Sequence, residues 1–269
     1  MKNIHKIKLK NTLIRLHHQF NFKEYIKRDP IEFLHKYKNP RDIEVAGLIA
    51  SSIAYGRIDL FKPIIKNILT IMGDKPSQYV VKFSPQQEMH KFNKLNYRMT
   101  RGIDIACMIY GMHKIFREYG SLKQMFYFFY NKSQGDLKIA LSQMSDFFCS
   151  IDTTLVYGKR IYPRSYLFLF PSPFKGSPCK RLNLFLRWMV RNGDGVDFGI
   201  WDKIPPNKLI IPLDIHISRA ANYLSLSKRK NLSWKMAEEI TETLKLIDHK
   251  DPIRFDFSLC HLSMSGKFS

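Results

Sequence analysis

Apolar residues in this 269-residue chain return three and four positions apart and almost nowhere alternate. Val45, Leu48, Ile49 and Ile53 follow this spacing, and so do Ile105, Met108, Ile109, Met112, Ile115 and Phe116. Such positions share one face of a helix, whereas a strand needs every second residue. No run of alternation is long enough to specify a sheet, so the chain is expected to be all-α. Helices are expected over Asp42 to Ile53, with a break at Tyr55-Gly56-Arg57, and over Ile58 to Leu69, Ile103 to Tyr119, Leu122 to Tyr130 and Leu137 to Phe148. Small Gly47, Ala50, Ser51 and Ser52 let the first of these pack closely. Residues 1 to 38 predict one or two amphipathic helices, with Lys2, Lys6, Lys8, Lys10 and Arg15 set among Ile4, Ile7, Leu9, Leu13, Ile14 and Leu16; the second is capped at Asp29 and has Pro30 in its first turn.

Charge narrows the partner. Lys and Arg number 44 against 23 Asp and Glu, a formal charge of +21, which suits a polyanion such as nucleic acid. An AT-rich coding sequence would also raise the lysine count without any ligand. The distribution says more than the total, because residues 171–230 carry a net +7 and residues 231–269 a net −1. Four separated cysteines, Cys107, Cys149, Cys179 and Cys260, form no C-x-x-C pair, which argues against a zinc site and a cysteine-ligated iron–sulfur cluster. No apolar run approaches the roughly 20 residues of a membrane span, and no signal-peptide core follows the basic N-terminus. A bacterial cytosolic location is expected.

The stretch Pro171 to Ala221 holds the residues that could do chemistry. A turn, Phe174-Lys175-Gly176-Ser177-Pro178, brings Lys180 to the start of an apolar helix expected over Cys179 to Arg191, and Ile211-Pro212 brings Asp214 to the start of another, Ile215 to Leu224. A glycine turn between helices exposes backbone N–H groups that can hold a phosphate without reading sequence. A lysine at a helix start, beside Arg181, meets conditions that disfavour its charged form, and a neutral amine can attack the C1′ of a damaged nucleotide. Asp214 is an N-cap by default, and a carboxylate there could also orient the lysine and stabilise positive charge growing on the sugar. On spacing alone, 34 residues apart, a surface lysine and an ordinary cap remain the simpler reading. Tyr55 and Arg57, side by side at a helix end, could stack on a base or grip a phosphate, although a packed tyrosine and a surface arginine are the commoner outcome.

The run from Gly176 through Lys180 to Met189, followed by Ile211-Pro-Leu-Asp214-Ile-His216, resembles the helix-hairpin-helix DNA glycosylases of the 8-oxoguanine type, and its long lysine-to-aspartate interval is most similar to the archaeal 8-oxoguanine branch. The chain, including its C-terminal DPIRFDFSL, is also identified as a member of a bacterial family of unknown function. The motif resemblance covers residues 160 to 262. Its hairpin, F-K-G-S-P-C, departs from the usual L-P-G-V-G. The resemblance implies an all-α glycosylase-like unit over 1–269 with two helical subdomains flanking a cleft: a helical part over 40–160, a hairpin and catalytic part over 161–225, and packing helices at 1–39 and 226–269. It makes Lys180 the nucleophile and Asp214 its catalytic carboxylate. Lys175, Gly176, Ser177, Arg181, His216 and Arg219 become DNA contacts. The loop Asn192 to Lys203 would line a base pocket with Asp197, Phe198 and Trp201, although Trp201 could equally plug the core. The partner implied is double-stranded DNA carrying a damaged base, bound by a monomer that needs no metal or organic cofactor. The acidic C-terminal helices, Trp234 to Ile247 and Ile253 to Leu262, are expected to be structural and to face away from DNA.

Overall fold

The computed structural model describes residues 2–19 and 22–264, and side chains over 7–19 and 24–264. The all-α expectation holds. Among the described residues the sheet consists of two short antiparallel strands, β1 (Asn96–Tyr97) and β2 (Thr100–Arg101), with Tyr97 opposite Thr100. Among the described residues no helix is long and apolar enough to cross a membrane.

Two compact units result, one over 27–174 and one combining 1–26 with 175–269. These boundaries differ from those expected at 40, 160 and 225. The N-terminal helices α1 (Lys2–His18) and α2 (Phe22–Ile26) belong with the C-terminal half because α1 packs on its last helix; Leu13 is fully buried and the ring of His17 meets Phe255 at 5.9 Å. The expected amphipathic face of α1 is only partly realised. Leu9, Leu13 and Leu16 fall on one side and Ile7 and Ile14 on another, so Ile7 is left 59% exposed. Lys2, Ile4 and Lys6 lie outside the described side chains.

In the unit 27–174, Asp29 caps as expected, through Ile31 N–H, but what it starts is a seven-residue 3-10 turn, Pro30–Lys36. Then follow α3 (Pro40–Ile53), α4 (Ile58–Met72), the short α5 (Pro76–Lys82) and α6 (Pro85–Glu88), the hairpin, α7 (Gly102–Tyr119), α8 (Leu122–Lys132), α9 (Leu137–Ser150), α10 (Thr154–Tyr157) and α11 (Arg164–Leu167). Every residue of α3 from Asp42 to Ile53 is buried. Its two acids are satisfied by neighbouring helix starts, since Asp42 accepts Ser77 N–H at 2.8 Å and Glu44 accepts Lys123 N–H at 3.2 Å. The aromatic residues of α8 and α9 supply core, with Phe126 and Phe148 fully buried.

The unit of 1–26 and 175–269 is built from α1 and α2 with α12 (Lys180–Val190), α13 (Ile215–Tyr223), α14 (Trp234–Lys245), a 3-10 turn over Pro252–Phe255 and α15 (Asp256–Met264). α12 is buried from Arg181 to Val190, and α13 packs on α15.

One position in the first unit tests how tightly α7 is fitted against the 3-10 turn Met89–Phe92. A Cβ on Gly102, at the start of α7, would lie 1.8 Å from the carbonyl oxygen of Phe92. Backbone atoms cannot rotate away as a side chain can, so Gly102→Ala is expected to lower stability by about 1–3 kcal/mol in urea denaturation, with the far-UV spectrum of the folded state retained.

Candidate functional site

The prolines around residue 172 decide how α12 begins. Pro171 and Pro173 stop the preceding segment, so α11 is a single turn, and a 3-10 turn over Pro173–Lys175 leads into Gly176 at φ +77°. The left-handed region is open to glycine without steric cost. The Gly176 carbonyl accepts the Trp234 N–H at 3.1 Å, which ties the turn to the start of α14. Cys179 is itself left-handed at φ +48°, and the Asn183 side-chain amide donates back to the Pro178 carbonyl at 3.1 Å. Lys180 therefore leaves the first position of α12 in a fixed direction.

Its Nζ lies 3.8 Å from Asp214 Oδ2, with the two side chains 32% and 28% exposed. Asp214 does two things at once. Oδ1 accepts the backbone N–H groups of His216 at 2.9 Å and Ile217 at 3.0 Å, capping α13, and Oδ2 is turned to the lysine. Capping fixes the carboxylate plane, so the helix start serves as a mount for the charge pair.

Below Lys180 the same face of α12 carries Asn183, Arg187 and Arg191, three or four residues apart and no more than 4% exposed. Buried guanidinium groups need compensating charge. Arg187 donates to Asp197 at 3.2 Å and to Asp256 at 2.5 Å, and its guanidinium carbon sits 4.4 Å from the ring centre of Phe257. Arg191 donates to Asp197 at 2.5 Å and Asp194 at 2.9 Å and grips Asp251 through Nε and Nη2 at 2.9 Å. Burial pushes the Asp256 carboxyl up to about 6, against the pull of Arg187; Asp214 raises it further and Lys180 lowers it. Since the folded value exceeds the ordinary one of about 4, this carboxyl's contribution to stability is complete below pH 4 and is lost as pH rises through 6. Asp256 thus joins the buried arginine network from the C-terminal segment, which was expected to be structural.

The loop 192–203 does not form the expected pocket. Its backbone is pinned along the end of α12 by Phe198 N–H to the Trp188 carbonyl at 2.9 Å and Trp201 N–H to the Met189 carbonyl at 2.8 Å. Gly199 permits the close approach, since a Cβ there would meet Asn192 Cβ at 2.5 Å. Trp201 is consequently fully buried, edge-on to Phe185 at 5.3 Å. Asp197 is the shared counter-ion of two arginines and is not placed to receive a purine. Phe198 is half-buried.

Of the expected DNA contacts, Lys175, Gly176 and Arg219 are exposed and Ser177 is half-exposed, its hydroxyl accepting Cys179 N–H at 3.2 Å. Arg181 is buried at 7% exposure and does not face solvent. His216 is half-buried, with Nδ1 shut away from solvent and lacking a hydrogen-bond partner among the described residues. Tyr55 and Arg57 belong to the unit 27–174. Tyr55 is a staple and not a stacking platform: its hydroxyl meets the Tyr97 carbonyl at 2.9 Å and Thr100 Oγ1 at 2.8 Å, its own carbonyl takes the Tyr97 hydroxyl, and its ring packs on Tyr97 and Phe168. Arg57 is exposed and paired with Asp59 at 2.7 Å. A depression of about 550 Å³ between Met72 and Lys91 also lies in that unit.

The arginine network gives a stability prediction. Asp197→Ala leaves Arg187 and Arg191 short of a buried counter-ion and is expected to cost about 3–5 kcal/mol in chemical denaturation; a loss below about 1 kcal/mol would mean that the remaining carboxylates suffice.

No curated protein and no solved structure matches this chain. A family model described as "Protein of unknown function (DUF2400)" matches residues 29–265, which takes in α12, α13 and α15 with Lys180, Asp214 and Asp256, and the chain belongs to that family.

Proposed function

We propose that this protein is a DNA glycosylase with associated lyase activity that removes an oxidised purine, 8-oxoguanine foremost, from duplex DNA. The observation that carries the reading is the pairing of Lys180 Nζ with Asp214 Oδ2 at 3.8 Å while Asp214 Oδ1 holds the start of α13. An amine beside a carboxylate of fixed orientation is the equipment for covalent attack at a sugar carbon. The choice of an oxidised purine rests on the motif resemblance.

In the proposed reaction the neutral Lys180 amine attacks C1′, the C1′–N9 bond breaks, and its electron pair leaves with the purine, which takes up a proton. The Asp214 carboxylate stabilises the positive charge that gathers on the sugar. The attacking nitrogen loses one proton, the equivalent of the one the purine takes up. Its lone pair then forms the C1′=N bond as the C1′–O4′ bond breaks and O4′ takes up a proton, and the protonated Schiff base so formed loses a C2′ proton as the C3′–O bond breaks and the phosphate leaves with the electron pair. Extruding the base costs roughly a few kcal/mol, offset by contacts along the backbone. The exposed Lys175, Gly176 and Arg219 suit such contacts, and binding should weaken steeply with salt.

Borohydride reduction with a duplex carrying one 8-oxoguanine is expected to give a covalent adduct that is absent in Lys180→Gln and present in Lys175→Gln. Salt-sensitive binding without an adduct on any lesion duplex would instead assign the protein a non-catalytic nucleic-acid-binding role. Asp214→Asn separates cap from chemistry. Asn caps helices about as well as Asp, so stability should change by less than about 1 kcal/mol, whereas trapping should slow by about 100-fold or more.

A further inference from the structure

Two residues, Arg98 and Met99, close the hairpin of β1 and β2 between the paired Tyr97 and Thr100. Two-residue turns of this kind favour glycine, asparagine and aspartate, which reach positive φ or bond their own backbone at little cost. Here Arg98 takes φ +49°, where a Cβ crowds the carbonyl that follows, and Met99 stands 54% exposed at the tip. Neither choice helps the turn to form, which points to a use for these side chains outside it. The hairpin root, by contrast, is fixed. Thr100 is fully buried and Tyr97 nearly so, the Tyr55 hydroxyl bridges the Tyr97 carbonyl and Thr100 Oγ1 at 2.9 and 2.8 Å, and α7 starts directly after β2. Gly56, at φ +78°, lets the Arg98 guanidinium lie against the break between α3 and α4, because a Cβ there would collide with Arg98 Nη1. Three exposed arginines gather here: Arg98 in the turn, Arg101 at the end of β2 and Arg57 beside Gly56. Arg57 is paired with Asp59 at 2.7 Å, and Arg101 lies 3.7 Å from the buried Asp104.

We infer that this hairpin is a wedge for duplex DNA: Met99 enters between two stacked base pairs while Arg98 and Arg101 hold the phosphates on either side. The inference rests on duplex DNA being the partner and is independent of what Lys180 does. One apolar side chain flanked by guanidinium groups is too small an apolar surface for a protein interface. It suits a partner that offers a stack of flat apolar faces between two rows of anions. Methionine, unbranched and polarisable, fills an irregular gap such as an opened base step. Prising a stack open also requires a mount that does not yield. The contacts among Tyr55, Tyr97 and Thr100 provide one, since they pass force on Met99 to the end of α3 and the start of α7. Arg57 and Arg101 each face an acid in the free protein, which leaves Arg98 as the readiest phosphate contact.

The test uses the full chain and a short A·T-rich duplex without any lesion, in which several adenines are replaced by 2-aminopurine, a base whose emission is quenched by stacking. TA steps unstack readily, and labels along the duplex report insertion at any register. At saturating protein, wild type should raise the emission, and Val81→Ala, which trims an exposed apolar residue on α5, should match it. Met99→Ala should lose most of the rise while still binding. Glycine suits the turn better than arginine, so Arg98→Gly should be at least as stable as wild type, yet its slope of log affinity against log salt should be shallower by about 1. An equal rise in Met99→Ala, or an unchanged salt slope in Arg98→Gly, overturns the proposal. A single strand bound as tightly as the duplex assigns the tip to loose bases and overturns it too. Because no lesion is present, a Met99-dependent rise supports the wedge even where borohydride traps no adduct on an 8-oxoguanine duplex. An adduct without that rise leaves the glycosylase reading standing while the wedge fails, and a wild type that leaves every duplex unbound overturns both.

Discussion

A helix buried on all sides cannot carry charge unless the charge is answered inside the fold, and α12 with its C-cap carries Arg187 and Arg191 at no more than 4% exposure. The answer comes from three separate stretches of chain. Asp194 and Asp197 return from the loop that follows the helix, Asp251 comes from the turn before α15, and Asp256 from α15 itself. Each pairing draws its segment onto α12, so the path of the loop, the approach of the C-terminal helix and the burial of Trp201 are consequences of one requirement. Replacing the network with apolar side chains of similar volume could leave stability unchanged, since buried ion pairs seldom exceed their desolvation cost by much. What the ionic version adds is orientation, because guanidinium forks donate to carboxylates along few directions.

That orientation reaches the surface at Lys180. The lysine is the first residue of the helix whose interior is so held, and Asp214 is the first fixed point of the next one. Helix starts suit such a pair because their unsatisfied N–H groups will hold a carboxylate oxygen at the expense of nothing else in the fold. Asp214 uses one oxygen for that purpose and retains the other. Capping and pairing with Lys180, which look like competing explanations when the chain is read residue by residue, are two halves of one side chain.

Much of this was legible before any coordinates. Helical spacing placed the main helices, and the Pro and Gly residues around 171–178 and 205–212 placed Lys180 and Asp214 at helix starts, since both signals act within a turn or two of the residue concerned. Asp197 answers arginines where a base pocket was expected, and Trp201 and Tyr55 take the packed alternative that the sequence left open, for a common reason. Each lies in a short irregular segment whose direction depends on tertiary contacts, and a carboxylate or an aromatic ring reads the same whether it faces a ligand or a core. The one available hint was Arg187 and Arg191, which share the face of Lys180 on an otherwise apolar helix and so demanded acids from elsewhere. Asp256 answers that demand from 69 residues beyond Arg187, a pairing that no local pattern announces.

The distribution of charge now has a physical reading that the total of +21 does not supply. The exposed groups beside the Gly176 turn and on α13, Lys175 and Arg219, are cationic, whereas behind Lys180 the acids Asp194, Asp197, Asp251 and Asp256 outnumber the two arginines they hold. On the proposed chemistry the two fields serve different steps. A cationic exterior draws in a phosphate backbone over distances of about a Debye length. An interior with surplus carboxylate favours the positive charge that develops on the sugar as the base departs.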